Sequence, residues 1–218
     1  MIEYKKILSP YYNPRGDNPI WYFTPHCMPG LLSAETCANI FTRTNPPRNG
    51  SSNWCIGKSG DYVLSVEESN RAWTSDSRLN DYHAITVECA SDLNAPYKFP
   101  DATYNALIEL AVDVMKRYGK KKMLYFPDKS TAMNYSVRDD EIVLTRHNFF
   151  ANVDCPGKWF IDKSPEFVST VNQRISGITP TKELYHVQIG AFSIESNAKR
   201  MLDDAKNKGF KDAFIVKY

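Results

Sequence analysis

Four histidines and five cysteines are the residues of this chain best suited to holding a metal ion. His26 and His147 each lie where a predicted strand gives way to a loop, and open α/β folds place their sites at such strand ends. Cys155 follows His147 by eight residues. Two imidazoles and a thiolate can form a zinc site with three protein ligands and a free fourth position for water. Taken alone this set is a weak indication, because many chains carry two histidines and a cysteine without binding a metal.

Glu88 is the only charged residue in the predicted strand Ala84 to Ala90. A carboxylate inside such a strand costs free energy unless it has a partner or a task. A glutamate beside a metal-bound water can act as the general base of a hydrolysis. The alternative is a position on the surface of the strand, where Glu88 would simply face solvent.

The remaining histidines fit a metal site less well. Neighbouring side chains in a strand point to opposite faces, so Cys27 cannot face the same metal as His26. His83 lies five residues before Glu88, an odd offset that would place the two on opposite faces of a regular strand. We therefore expect His83 in a loop or on the surface. His186 is expected in a strand of a C-terminal appendage.

The elements that would position these residues alternate between strands and helices. Strands are predicted at 20–24, 54–56, 62–66, 84–90 and 142–145. Helices are predicted at 34–43 with Ser33 as N-cap, at 100–118 before Gly119, and from Ser164-Pro165 to 175. This alternation predicts an α/β fold, with a central mixed β-sheet flanked by helices. Pro25 removes a backbone donor, which indicates an edge position or a bend.

Composition excludes several classes of function. The chain has 218 residues, with 27 Lys+Arg against 25 Asp+Glu, and this near-balance argues against a nucleic-acid partner. The first residues contain no apolar run typical of a signal peptide, and no segment is predicted to span or bind a membrane. We expect cytoplasmic synthesis, with any action outside the cell following release by another agent. An odd number of cysteines without export argues against a disulfide framework.

Three motifs then resemble a known family. The segment 144–147, Leu-Thr-Arg-His, followed by 154–157, Asp-Cys-Pro-Gly, resembles the closing motif of the zinc-dependent N-acetylmuramoyl-L-alanine amidases. This is the family of phage lysozyme and the peptidoglycan-recognition proteins. The segment 26–30 is similar to its opening motif, and 80–88 to its central strand with the catalytic glutamate. The segment 70–73, Asn-Arg-Ala-Trp, resembles endolysins of Gram-positive phages and prophages. The resemblance covers residues 15 to 175.

The resemblance implies a peptidoglycan hydrolase with one zinc ion per chain. His26, His147 and Cys155 would be the zinc ligands, and Glu88 would be the base. The bond cut would be the amide between the lactyl group of N-acetylmuramic acid and L-alanine. An alternative is a peptidoglycan-recognition protein of the same fold that binds without cutting. Non-catalytic relatives typically lack the cysteine ligand, so Cys155 favours the enzyme. A structural α/β domain without metal is a further alternative.

Several aromatic residues are candidates for lining the substrate groove: Trp54, Trp73 and Tyr82.

Two positions depart from the family pattern. Val153 stands where many members have a lysine or another polar residue that stabilises the oxyanion. Ser52 stands where some relatives have a tyrosine, so a tyrosine-assisted mechanism is not expected.

Residues 184–218 form a predicted appendage to a catalytic domain at 1–175, joined by a linker at 176–183. A strand at 185–192, a helix at 197–208 and a strand at 213–216 give a small β-α-β module that resembles the first half of a SPOR domain, which binds peptidoglycan. A unit of this size rarely folds alone. We expect it to target the cell wall, completing its sheet by pairing with a second chain in a homodimer or by docking on the body. The alternative is a remnant that packs on the catalytic domain.

Overall fold

The computed structural model of the chain describes residues 2–177, 188–211 and 213–217. The chain divides into two units, residues 1–180 and residues 181–218. Within the described ranges, no helix combines the length and the apolar character needed to cross a membrane.

A mixed sheet of seven strands organises the first unit, beside a smaller sheet of two strands. The strands in chain order are β1 Lys5–Lys6, β2 Tyr12–Pro14, β3 Tyr22–Pro29, β4 Trp54–Ile56, β5 Tyr62–Leu64, β6 Asn70–Ala72, β7 Ala84–Ser91, β8 Lys122–Tyr125 and β9 Glu141–Leu144. The large sheet has the order β1-β5-β4-β7-β3-β9-β8, and β2 pairs with β6. In the large sheet only β4 and β5 pair antiparallel.

Among the described residues, five α-helices belong to the first unit and one to the second. They are α1 Ala34–Phe41, α2 Arg78–His83, α3 Asp101–Arg117, α4 Lys129–Asn134, α5 Lys158–Ile175 and, in the second unit, α6 Glu195–Asn207. Ser33 caps α1 as predicted, because its hydroxyl accepts a hydrogen bond from the backbone N–H of Thr36 at 3.1 Å. The predicted α/β fold, a central mixed sheet flanked by helices, is confirmed.

The two faces of the large sheet differ in chemistry. On one face, Phe23, Ile85 and Val87 pack with residues of α3 and α5 into the main apolar core. The opposite face carries two smaller apolar clusters, one under α1 and one under α4. Between these clusters lie the buried polar side chains of Thr24 and Thr86. The second face therefore has a polar region between its two apolar clusters, and the candidate site lies in that region.

Helix α5 begins earlier than predicted. It starts at Lys158, so Ser164 and Pro165 lie inside the helix and not at its N-terminus. Phe160 and Phe167 are two turns apart, and both are fully buried in the main core. The burial of Phe160 stabilises the extra turns. Tertiary packing thus overrides the Ser-Pro pattern, and the hydroxyl of Ser164 donates to the carbonyl of Phe160 at 2.8 Å.

Strand β3 is longer than predicted, so His26 lies within the strand and not at its end. Pro25 is tolerated there for a local reason. The carbonyl of Phe23 accepts a hydrogen bond from the N–H of Thr145, so the backbone groups of Pro25, two residues on, also face the β9 side. Because β9 ends at Leu144, the missing N–H of Pro25 breaks no ladder bond.

In the part of the second unit that the structure describes, the predicted helix is present and the predicted strands are not. Helix α6 forms at Glu195–Asn207, and residues 188–192 and 213–216 on either side have irregular backbone. The β-α-β prediction is therefore wrong for these residues. A strand is stable only with neighbours to bond, and a unit this small offers few. Residues 185–187 of the first predicted strand, with His186, lie outside the described residues.

Arg15 ties the N-terminal segment to the rest of the first unit. Its side chain is 4% exposed, and its guanidinium donates to five backbone carbonyls. These are the carbonyls of Glu68, Asn70, Asp81, Tyr82 and Ala84. One side chain thus satisfies acceptors just before and at the start of β6, in α2 and at the start of β7.

We expect Arg15→Ala to lower the free energy of unfolding by about 3 kcal/mol or more, because several buried carbonyls lose their donor. Urea denaturation of the purified protein measures this change. The control is Arg78→Ala at an exposed arginine, which should change the same free energy by less than about 0.5 kcal/mol. Equal losses in the two variants would contradict this role of Arg15.

Candidate metal centre

His26, His147 and Cys155 come together from three separate parts of the chain. His26 lies on β3, His147 begins a short 3₁₀ helix after β9, and Cys155 lies in the loop before α5. Their potential ligand atoms all lie within 4.8 Å of one another. The Sγ atom of Cys155 is 3.4 Å from Nδ1 of His26, and the two imidazole ring centroids are 4.9 Å apart.

The ring of His26 is held in one orientation. Its Nε2 lies 3.2 Å from the hydroxyl of Ser75, so Nδ1 is the atom that faces Cys155. Burial, followed by the nearby ring of His147, lowers the pKa of His26 well below its usual value. The imidazole is therefore neutral at physiological pH, as a metal ligand must be.

Cys155 sits beside the backbone of β3. The N–H of Cys27 lies 3.4 Å from the Sγ atom of Cys155, in a position to donate to the sulfur. Burial raises the pKa of the Cys155 thiol well above its usual value, with further contributions from the Cys27 thiol and from the charge of Glu88. A bound cation would oppose this shift, because a metal binds the thiolate.

Glu88 lies on the same face of the sheet as His26. The two residues are direct neighbours in the parallel register of β3 and β7. Their side chains therefore project from the same face. Burial raises the pKa of the half-buried Glu88 to about 8, and the charge of Arg48 acts in the opposite direction. A carboxyl group with a pKa in this range can both take and return a proton near neutral pH.

Two neighbouring residues, Ser75 and Asp76, lie beside the Nε2 atoms of the two histidines, and the sequence does not predict them. Ser75 meets Nε2 of His26, and Oδ2 of Asp76 lies 3.6 Å from Nε2 of His147. That Nε2 atom is buried without a hydrogen-bond partner. Asp76 is largely exposed and has a positive φ of 54°. No spacing in the sequence marks these contacts, because they join segments far apart in the chain.

The prediction that Trp54 lines the groove is wrong. Trp54 is 3% exposed and belongs to the main apolar core. Its neighbour Cys55 pairs with Glu88, so Trp54 points to the face opposite the candidate site. Its indole N–H donates to Glu68 at 2.6 Å.

Trp73 and Tyr82 are partly exposed on the first unit. The indole N–H of Trp73 donates to the side chain of Asn13 at 2.8 Å, and the guanidinium of Arg71 lies 4.9 Å from the ring centre of Tyr82. Their role in binding substrate stays a prediction.

His83 is not brought to the three-residue cluster. It ends α2, is 8% exposed, and stacks on Trp21 with ring centroids 4.1 Å apart. Its Nδ1 lies 2.8 Å from the carbonyl of Pro19. The expected loop or surface position is therefore wrong, since the residue is packed against the N-terminal segment.

The sequence of the first unit matches a known family. A family model described as N-acetylmuramoyl-L-alanine amidase matches residues 16–158, which is well over half of the chain. The chain belongs to the N-acetylmuramoyl-L-alanine amidase family. It is a peptidoglycan amidase, and the matched range contains all three residues of the cluster and Glu88. A SPOR domain model matches residues 181–218, beyond the amidase domain.

Similar proteins include further amidases. The sporulation-specific N-acetylmuramoyl-L-alanine amidase of Bacillus subtilis (strain 168) is 24% identical over 196 residues, covering 86% of this chain and 67% of the relative. The structure of PlyL covers 78% of this chain and 97% of its own, at 15% identity and a TM-score of 0.56. The N-acetylmuramoyl-L-alanine amidase LysC from Clostridium intestinale URNW covers 79% and 99%, at 14% identity and a TM-score of 0.55. At such identities the structures show that the amidase fold is shared.

The raised pKa of Glu88 predicts how the stability of the metal-free amidase depends on pH. A carboxyl group with a folded-state pKa above its ordinary value of 4.5 stabilises the fold below that value, and this contribution is lost as the pH rises through about 8. We expect Glu88→Gln to remove this loss. The free energy of unfolding of chelator-treated protein, measured at several pH values from 4 to 9, tests it. The other titratable groups are the same in both proteins, and Cys155, whose pKa also depends on the charge of Glu88, has a pKa above this range. The difference between the curves therefore reports Glu88.

The control for that series is Glu3→Gln at an exposed carboxylate, which should follow the curve of the unaltered protein. Parallel curves for Glu88→Gln and the unaltered protein would contradict the assignment of a raised pKa to Glu88.

Proposed function

We propose that this amidase uses zinc, held by His26, His147 and Cys155, to hydrolyse the amide between the lactyl group of N-acetylmuramic acid and L-alanine. The observation that carries the proposal is the position of Glu88. It is the in-register neighbour of His26, on the face where the three ligand candidates converge. A metal-ligand cluster beside a carboxyl group of raised pKa is the arrangement that amide hydrolysis needs.

The donor set supports the choice of metal. Two imidazole nitrogens and one thiol sulfur within 4.8 Å of one another suit zinc, whereas magnesium and calcium prefer oxygen donors. When bound by three protein ligands, zinc lowers the pKa of a water in its fourth position and polarises the substrate carbonyl. The neutral His26 and the outer contact of its Nε2 with Ser75 are consistent with a preformed ligand.

Glu88 supplies the proton chemistry. In its ionised form it takes a proton from the attacking water, and it later returns this proton to the leaving amine of L-alanine. The raised pKa makes Glu88 a stronger base than an exposed carboxylate. The charge of Arg48 opposes this shift, because it favours the ionised form of Glu88.

Neither of the two residues that depart from the family pattern is placed to stabilise the oxyanion or to transfer a proton. Val153 is apolar and 39% exposed. Ser52 is fully buried, and its hydroxyl contacts the carbonyls of Trp54 and Thr86 at 2.9 and 3.0 Å. The proposed mechanism therefore assigns no proton transfer to either residue. Trp73 and Tyr82 stay as candidates for the substrate groove.

For the C-terminal unit we propose a targeting role. Residues 184–218, beyond a linker at 176–183, would bind the cell wall and so hold the catalytic domain 1–175 there. The match to a SPOR domain supports this role. Several large apolar side chains of this unit, including Ile189, Phe192 and Phe210, are exposed. A homodimer through this unit stays a prediction, as do cytoplasmic synthesis and later release to the wall.

Two substitutions separate metal binding from catalysis. We expect Glu88→Gln to keep about one zinc per chain and to lose activity by about 10² to 10⁴-fold, because the base is removed and the ligands stay. Cys155→Ser should lose zinc and activity together, because serine is a poor ligand for this metal. Metal analysis and lysis of purified walls measure both effects.

Mass spectrometry of the digested wall identifies the bond. New L-alanine amino termini without new reducing sugar ends are expected from the unaltered protein, and this product should disappear with chelator. Near-normal lysis by Glu88→Gln would show that Glu88 is not the base. A full zinc content in Cys155→Ser would show that Cys155 is not a metal ligand.

Deleting residues 177–218 tests the targeting role. We expect zinc content and hydrolysis of soluble wall fragments to stay unchanged, and binding to intact walls to fall by roughly tenfold or more, because the second attachment point is lost. Sedimentation with purified walls measures the binding, and light scattering of both proteins reports any dimer. Equal sedimentation of the full and shortened chains would contradict the targeting role.

A further inference from the structure

The two strands that lead to the histidines separate just before the metal centre. β3 and β9 pair only at Tyr22 with Val143 and at Phe23 with Leu144. One more backbone bond follows, from the N–H of Thr145 to the carbonyl of Phe23 at 3.0 Å. Past this point side chains bridge the two strands, and the separation creates the room that a metal between two imidazoles needs.

The side chain of Asn80 fills this separation. Asn80 is fully buried, and its Nδ2 lies 3.2 Å from Oγ1 of Thr24 while its Oδ1 accepts from the hydroxyl of Thr145 at 2.8 Å. The hydroxyls of Thr24 and Thr145 also contact each other at 2.7 Å. Thr24 lies two residues before His26, and Thr145 lies two residues before His147. One amide thus links both segments that carry the histidines.

Asn80 also reaches His26 by a second route. Its Nδ2 lies 3.2 Å from the hydroxyl of Ser75, and that hydroxyl contacts Nε2 of His26 at 3.2 Å. The carboxylate of Asp81 holds Ser75 in place, since Oδ2 accepts from the backbone N–H of Ser75 at 3.0 Å and Oδ1 accepts from Nδ2 of Asn80 at 3.1 Å. All of these side chains are buried, so water does not compete for the bonds.

We propose that Asn80 is a positioning residue that sets the affinity of the metal centre, by fixing the distance between the segments of His26 and His147 and the orientation of the His26 ring. This inference rests on the proposed metal site. Outer contacts to ligands orient them, and their loss typically weakens metal binding by about 10 to 100-fold. Asn80 touches neither the ligand atoms nor Glu88 in any described contact, so its effect passes through Thr24, Thr145 and Ser75.

The test measures the zinc dissociation constant of the full chain by competition with a chelator. Asn80→Ala should raise this constant by about 10 to 100-fold. The matched control is Asn172→Ala, which removes another amide bonded to the chain, at Met123 on β8, and should leave the constant within about twofold. The free energy of unfolding is also measured with and without zinc. If Asn80 positions the ligands, zinc should stabilise Asn80→Ala less than it stabilises the unaltered chain.

A second pair keeps the test valid if Asn80→Ala does not fold. Thr145→Val removes the hydroxyl that Asn80 accepts from, and Thr145→Ser keeps it. Only the valine variant should weaken zinc binding. Zinc binding unchanged in Asn80→Ala, or equally changed in the valine and serine variants, would overturn the positioning role. Absence of zinc binding by the unaltered chain is a different result, since it would overturn the proposed function itself.

Discussion

The parallel register between β3 and β7 is the constraint on which the site depends. Eight consecutive residue pairs join the two strands, from Tyr22 with Ala84 to Pro29 with Ser91. A shift by one residue would turn every side chain of one strand to the other face. His26 would then lose Glu88 as its neighbour and enter the apolar core, where a neutral imidazole would need a new partner. The core on the opposite face favours this register, because Phe23, Ile85 and Val87 are all buried in it in the observed alignment.

The sheet face that carries the site is packed by polar side chains along its centre and not by apolar ones. Thr24, Thr86 and Thr145 are all fully buried, and each hydroxyl contacts another buried polar group. Such groups are costly without partners, yet with partners they allow only a few arrangements of the backbone. Each of the three threonines lies two residues before His26, Glu88 or His147. The polar layer therefore forms a base that fixes the three segments.

Sequence reasoning predicted what depends on local pattern or on motifs. The long helix α3 has a continuous apolar stripe and a glycine after it, and it forms as expected. Residue types and short motifs predict the three ligand candidates, and these come together in the structure. The start of α5 was missed because the burial of Phe160 outweighs a local helix-start pattern. The misplacement of Trp54 has another cause, since only the strand register decides which face a residue takes.

Pro25 has a consequence for association with other molecules. Beyond Phe23, β3 has no backbone pairing on this side, because β9 ends at Leu144. Unpaired strand sides attract further strands and so promote aggregation. Here Pro25 has no N–H to offer, and the N–H of Cys27, the next one on that side, points to the sulfur of Cys155. The backbone of β3 beside the candidate metal centre therefore has no free N–H at Pro25 or Cys27 with which a peptide could begin a ladder, and this disfavours strand addition by a substrate built of peptide chains.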